Sequence, residues 1–153
     1  MTLFEKACEI LKSTVYLSKK NASLVTDDEE RIKVSVLYPD WETGEHKVGE
    51  IYNAVGQTWE CFQAYDNAIY PDINPENSAW FTFNRPLHGK SPETARPFVK
   101  PMGAHDMYHA GEYMIWTDGA VYKCVTDTGY TPEEYAPAWE KQYNLEGAVK
   151  WQY

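Results

Sequence analysis

The feature that most constrains this chain is an internal repeat. Gly49-Glu50 recurs 62 residues later as Gly111-Glu112, and Gly56, Trp59 and Cys61 recur 63 residues later as Gly119, Tyr122 and Cys124. One residue is therefore inserted in the second turn. Each copy closes on Tyr, Pro and Ala-Trp: Tyr70, Pro75 and Ala79-Trp80 in the first, Tyr130, Pro132 and Ala138-Trp139 in the second. Matching Gly, Cys and Trp residues in one order mark two copies of a single supersecondary unit. Each copy reads as a β-hairpin. Residues 51–55 and 58–65 flank Gly56-Gln57, and residues 112–116 and 120–126 flank Thr117-Asp118-Gly119. Period-two alternation puts Trp59 with Cys61, and Tyr122 with Cys124, on one strand face. Trp41, Trp59, Trp80, Tyr122 and Trp139 are the expected core.

Outside the repeat the texture differs. Thr2 with Glu5 makes a capping box, and Phe4, Cys8, Leu11 and Val15 recur on one face, which predicts a helix over 2–18. Thr26 with Glu29 predicts a second, short helix over about 27–37, stopped by Pro39. Neither can stand alone, so both must pack on each other, on the β part or on another subunit. Residues 84–104 hold Pro86, Pro92, Pro97 and Pro101 with Gly89 and Gly103, the composition of a semi-rigid connector rather than a folded element. The expected fold class is α+β, with short N-terminal helices followed by two small antiparallel β modules. The expected segments are a helical docking or oligomerisation segment (1–38), a first module (39–83), a Pro-rich linker (84–104), a second module (105–142) and a tail (143–153).

Composition narrows the function classes. A formal charge of −9 disfavours phosphate backbones and anionic lipid, so neither nucleic acid nor membrane is an expected partner. No apolar run reaches the ~20 residues needed to span a bilayer, and the charged N-terminus has no signal-peptide core. Cys8, Cys61 and Cys124 have neither an even count nor CxxC spacing, and read as small buried apolar side chains in a reducing compartment. His105, Asp106, His109 and Glu112 are metal-ligand types, but Gly103 and Gly111 bracket them, so a loop is expected and no metal. Asp27–Glu30 and Glu133-Glu134 read as solvated faces. No nucleophile–base pair, phosphate loop or cofactor motif stands out, which points away from an enzyme and from any cofactor.

The pattern Tyr-x-x-Gly-Asp, then Gly, then Tyr-x-Cys/Ala, then Pro and Trp resembles the chitin-binding type 3 modules, carbohydrate-binding module families 5 and 12. Over residues 24–142 the chain is similar to small phage and prophage proteins of Gram-positive bacteria. That similarity is carried by Thr26-Asp27-Asp28-Glu29, Leu37-Tyr38-Pro39-Asp40-Trp41, Ser91–Thr94 and Pro101-Met102-Gly103-Ala104-His105-Asp106. Glu50 and Glu112 stand where the module usually has Asp, and His46 stands where the second copy has Tyr108. Sugar-binding members carry exposed aromatics just after the central strand, where this chain has Gln63-Ala64 and Thr126-Asp127.

The resemblance implies a virion-associated protein of tail, fibre or capsid surface, made in the host cytoplasm. Its implied partners are other virion proteins and cell-wall polysaccharide, and by analogy with phage fibres it would be a homo-oligomer such as a trimer. A sugar platform needs rigid aromatic faces with amides or carboxylates nearby. The candidate set is Tyr65, Asp66, Asn67 and Tyr70 in the first copy, with Asp127 and Tyr130 in the second. The same tyrosines would equally serve to cover small cores. The alternative function is purely structural, with the modules mediating protein–protein contacts.

Overall fold

Capping chemistry sets the start of the first helix. Thr2 Oγ1 accepts from the Glu5 N–H (3.1 Å) and the Glu5 carboxylate accepts from the Thr2 N–H (2.8 Å), opening α1 (Leu3–Ala22). In the computed structural model, which describes residues 1–143, this helix runs past its expected end at 18. Of the expected tail only Tyr143 lies within the described residues. Asp27, rather than Thr26, caps α2 (Asp28–Lys33) by accepting from the Glu30 N–H at 3.2 Å. A single 3-10 turn, Ser35–Leu37, follows and delivers Tyr38. The Tyr38 hydroxyl donates to the Ala22 carbonyl (2.8 Å), fastening the last turn of α1 to the body.

The rest is built from short strands, giving an α+β architecture of one long helix and several small, mainly antiparallel sheets. The strands are β1 (Glu45–His46), β2 (Ile51–Ala54), β3 (Gln57–Cys61), β4 (Tyr65–Asp66), β5 (Asn84–Pro86), β6 (Arg96–Pro97), β7 (Tyr113–Ile115), β8 (Val121–Cys124) and β9 (Trp139–Lys141). They form the pair β1-β4, the sheet β2-β3-β5 and the sheet β6-β7-β8-β9, in which β6 alone runs parallel to its neighbour.

The repeat is carried bond for bond. Gly49 N–H donates to the Cys61 carbonyl and Gly111 N–H to that of Cys124, both at 2.8 Å. Cys61 N–H returns to the Glu50 carbonyl, as Cys124 N–H does to Glu112. Both thiols are free and buried, donating to the carbonyl two residues on (Gln63, 3.2 Å; Thr126, 3.1 Å). Two details differ from the sequence alignment. The first turn is centred on Val55-Gly56, not Gly56-Gln57, with φ of +47° and +75°, so a β-branched side chain occupies a left-handed position. Pairing also aligns Cys61 with Asn84 and Cys124 with Trp139, so Trp139 matches Asn84 rather than Trp80. Trp80 instead sits on a 3-10 turn, Ser78–Thr82. Both indoles are nevertheless buried, Trp80 among Tyr52, Trp59, Tyr65 and Ile73, and Trp139 among Tyr108, Met114 and Cys124. Trp41 and Tyr122 pack against these cores while partly exposed.

The stretch 84–104 corrects the expectation of a connector without folded elements. It supplies β5 to the first sheet and β6 to the second, and buries Asn84, Leu87, His88, Thr94 and Ala95. Pro86 and Pro97 are tolerated because β5 and β6 are edge strands, where a missing N–H breaks no central ladder. Gly89 meets Thr94 so closely that a Cβ would lie 2.3 Å from the Thr94 carbonyl oxygen. Asp28 and Glu29, expected on a solvated face, hold this stretch in place. Asp28 accepts two N–H bonds from Arg85 (2.8 and 2.9 Å), and Arg85 also bonds Glu60 (2.8 Å). Arg31 in turn reaches Glu60 (3.0 Å) and Asp28 (3.6 Å). Glu29, released from capping, accepts from Ser91 Oγ (2.7 Å) and Thr94 Oγ1 (2.6 Å).

Gly89→Ala is expected to lower stability by about 1–3 kcal/mol through overpacking, whereas Gly129→Ala, with only ordinary contacts, stays near wild type. Thermal denaturation of both variants checks this. Burial alone would raise the Asp28 carboxyl, yet the Arg85 hydrogen bonds and charge outweigh it and hold Asp28 below the usual carboxylate value. A depressed folded pKa contributes stability above the unfolded value of about 4, which is lost as pH falls through the folded value. Denaturant midpoints should therefore fall in acid below about pH 4, and Asp28→Asn should flatten that acid limb.

Candidate functional site

The six expected sugar-contacting residues separate into core and surface. Tyr65 is only 6% exposed, its hydroxyl 2.8 Å from that of Tyr52 and accepting from the Trp41 indole N–H at 2.9 Å. Burial pushes the Tyr65 hydroxyl pKa up. The Tyr52 hydroxyl continues this buried chain to Asn84. Asn67, also 6% exposed, spends its amide on the Ile73 (3.0 Å) and Pro71 (3.4 Å) carbonyls. Half-buried Asp66 accepts from the Ala68 N–H (2.9 Å) and closes the same turn. In place of the expected platform, Tyr65 and Asn67 are core residues that shape the loop after β4, and Tyr70, 62% exposed, is left without them.

In the second copy Asp127 and Tyr130 are both exposed. Asp127 accepts from the Ala110 N–H (2.8 Å) and faces His109 Nδ1 (3.1 Å), and these bonds hold its carboxyl below the usual value. Tyr130 lies under the Lys100 ammonium (5.4 Å to the ring centre), with the Tyr135 ring 6.5 Å away. Its exposed aromatic neighbour is thus Tyr135, a residue sequence spacing did not single out.

A second surface also escaped sequence reasoning. Trp116, Asp118, Tyr122, Glu133, Trp139 and Lys141 line one groove on the second module. Asp118 accepts from the Tyr122 hydroxyl (2.7 Å) and the Ala120 N–H (2.9 Å) and faces Lys141 at 3.5 Å. Burial, reinforced by the Asp118 bond, pushes the Tyr122 hydroxyl up to about 12. Its one sequence signal is the Asp118-Gly119 turn, which by itself predicts only a hairpin.

The metal-like stretch has structural work. Asp106 is buried and accepts from the Met102 and Gly103 N–H groups. The His105 ring lies 4.5 Å from Phe62. Glu112 accepts from the His109 N–H (2.7 Å) and faces His88 Nδ1 at 3.0 Å, with the His88 ring stacked 3.9 Å from Tyr108. The first copy repeats the idea with His46 and Glu50 at 3.4 Å. Among the described residues no group of three or more His, Cys, Asp or Glu is arranged to hold a metal ion.

Comparison with protein-family models and with curated proteins returns no match, so the resemblance to type 3 chitin-binding modules rests on the residue pattern alone.

Tyr65→Phe should lower stability by about 1–3 kcal/mol, because it removes the hydroxyl that pairs with the buried Tyr52 hydroxyl and accepts from the Trp41 N–H. Tyr70→Phe should leave stability unchanged. Equilibrium denaturation of the two variants distinguishes a core tyrosine from a surface one.

Proposed function

We propose that this chain is a non-enzymatic assembly protein of a phage particle, whose two modules serve as structural units for contact with other virion proteins. The observation that carries this reading is the fate of the aromatic residues. Tyr65 and Asn67 are sealed into the first module, and the positions where sugar-binding relatives of such modules expose aromatics hold Gln63-Ala64 and Thr126-Asp127. The large flat side chains build two cores too small to close without them. The net charge of −9 fits a protein–protein role better than contact with nucleic acid or anionic lipid. The virion assignment, with synthesis in a host cytoplasm, rests on the phage-type residue pattern.

A second reading, contact with host cell-wall glycan, is favoured by two features of the second module. These are the Tyr130–Tyr135 pair beside Lys100, and the groove lined by Trp116 and Tyr122. Aromatic faces rimmed by carboxylates and an ammonium suit sugar hydroxyls.

A pull-down on purified Gram-positive cell walls separates the two. The assembly reading expects no retention of the wild-type chain. Retention abolished by Tyr130→Ala or Trp116→Ala would replace it with the glycan reading.

A further inference from the structure

The chain has three arginines, and two of them, Arg31 and Arg85, share the carboxylates of Asp28 and Glu60. Arg96 is different. It is half-buried, its Nη2 donates to Ser35 Oγ (2.8 Å), and among the described residues it makes no ion pair. Burial holds its pKa below the ordinary arginine value, and no carboxylate acts against that. In a chain of net charge −9, a guanidinium partly withdrawn from water without a counter-ion is the exception.

Arg96 stands in the wall of a cleft of about 510 Å³, a size that suits a small ligand. The buried side-chain polar atoms without a partner, among the described residues, are Gln57 Oε1, Trp80 Nε1 and His88 Nε2. The remaining N–H donors of Arg96 are therefore not sealed in, and they open onto this cleft and the hollow beside it. Ile32 of α2, Ala95, Pro97 of β6 and Ile115 of β7 give the cleft apolar walls. Lys33, paired with Glu30 (3.3 Å), and Glu93 also line it, and Asp40 lines the hollow.

We propose that this cleft binds a monocarboxylate carrying an apolar group, with the carboxylate forked onto the Arg96 guanidinium and the apolar group against Ile32, Ala95, Pro97 and Ile115. The bond to Ser35 holds the guanidinium plane, so a planar carboxylate can take two parallel N–H bonds from it. A phosphate dianion calls for several cations or backbone N–H groups. Here the second cation is committed to Glu30, and Glu93 and Asp40 add negative charge nearby. An added β-strand is disfavoured at this edge, because Gln57 Nε2 already donates to the Pro97 carbonyl. The required chemistry occurs in free acids the size of an acylated amino acid, and at the carboxy terminus of a polypeptide that ends in an apolar residue. The site stands apart from the phage reading and does not depend on it.

The probes are N-acetyl-leucine, its neutral amide, N-acetylglycine, inorganic phosphate and the peptide acetyl-Ala-Ala-Leu with a free carboxy terminus. Each is titrated into the isotope-labelled full chain and followed by amide chemical shifts. N-acetyl-leucine should saturably shift Gly56, Ala95 and Ile115 at millimolar concentration. Its amide and N-acetylglycine should each bind about tenfold more weakly or worse, having lost the charge-assisted pair or the apolar group. Arg96→Gln should weaken N-acetyl-leucine by about tenfold or more, and Arg96→Lys, which keeps the charge but loses the fork, should fall between. The acid–amide comparison uses the wild-type chain and so holds even where Arg96→Gln does not fold. Tighter binding of the peptide than of N-acetyl-leucine assigns the site to a polypeptide terminus, and binding no tighter assigns it to a free acid. An amide that binds as well as the acid, phosphate that binds more tightly than N-acetyl-leucine, unchanged affinity in Arg96→Gln, or no shift at these amides would each overturn the proposal.

Discussion

Arg85 is where the helical and β parts of the chain are joined. Its guanidinium bonds Asp28 of α2 with two N–H groups and Glu60 of β3 with another, and Arg31 bridges the same two carboxylates from the other side. The four groups alternate in sign and are mostly withdrawn from water. Removing such charges from water is costly, and the arrangement returns stability only because each carboxylate meets two cations, Glu60 hydrogen-bonding both and Asp28 hydrogen-bonding Arg85 with Arg31 at 3.6 Å. Its larger effect is on specificity. A fork of N–H donors is satisfied in one orientation, so α2 has one seat on the β3–β5 edge. With α2 seated, Glu29 meets Ser91 and Thr94, and the stretch beyond β5 is drawn against the same helix.

That stretch then acts as a spine. Leu87 N–H donates to the Thr58 carbonyl in the first sheet, Gly89 accepts from Tyr113, and Phe98 N–H donates to Ile115 in the second. His88 reaches Glu112 and stacks on Tyr108. Each module therefore borrows an edge from residues between the two copies, and the aromatic side chains close two adjoining cores. A chain organised this way has little aromatic surface left in the first module for a flat ligand. The second module keeps more, in Tyr130, Tyr135 and the Trp116 groove, which is why a glycan role rests there if anywhere.

The repeat, the Thr2–Glu5 capping box, the two hairpins and the core tryptophans were legible in the sequence because each depends on local spacing. The spine was not. Proline and glycine suggest a connector by composition, and strands of two or three residues leave no periodicity to detect. Pro86 and Pro97 are compatible with strands only because both strands lie at sheet edges, a fact of topology. The Thr26–Glu29 spacing pointed to a capping box, but Asp27 caps α2 in its place, which leaves Glu29 to serve tertiary structure. The turn falls at Val55-Gly56, one residue before the Gly56-Gln57 that turn preference favours, because a β-branched residue at positive φ runs against that preference. As for the candidate site, Tyr65 and Tyr70 look alike in sequence. Only the pairing of β4 with β1 turns the first inward.

Residues 84–104 form a spine shared by both modules. Native-state hydrogen exchange across this stretch tests it most directly. The amides of Leu87, Phe98 and Tyr113 should be protected together, opening with the same free energy as the central strands β3 and β8. Exchange of Leu87 and Phe98 at the rate of an unstructured chain, with β3 and β8 still protected, would contradict it and restore two independent modules on a flexible tether.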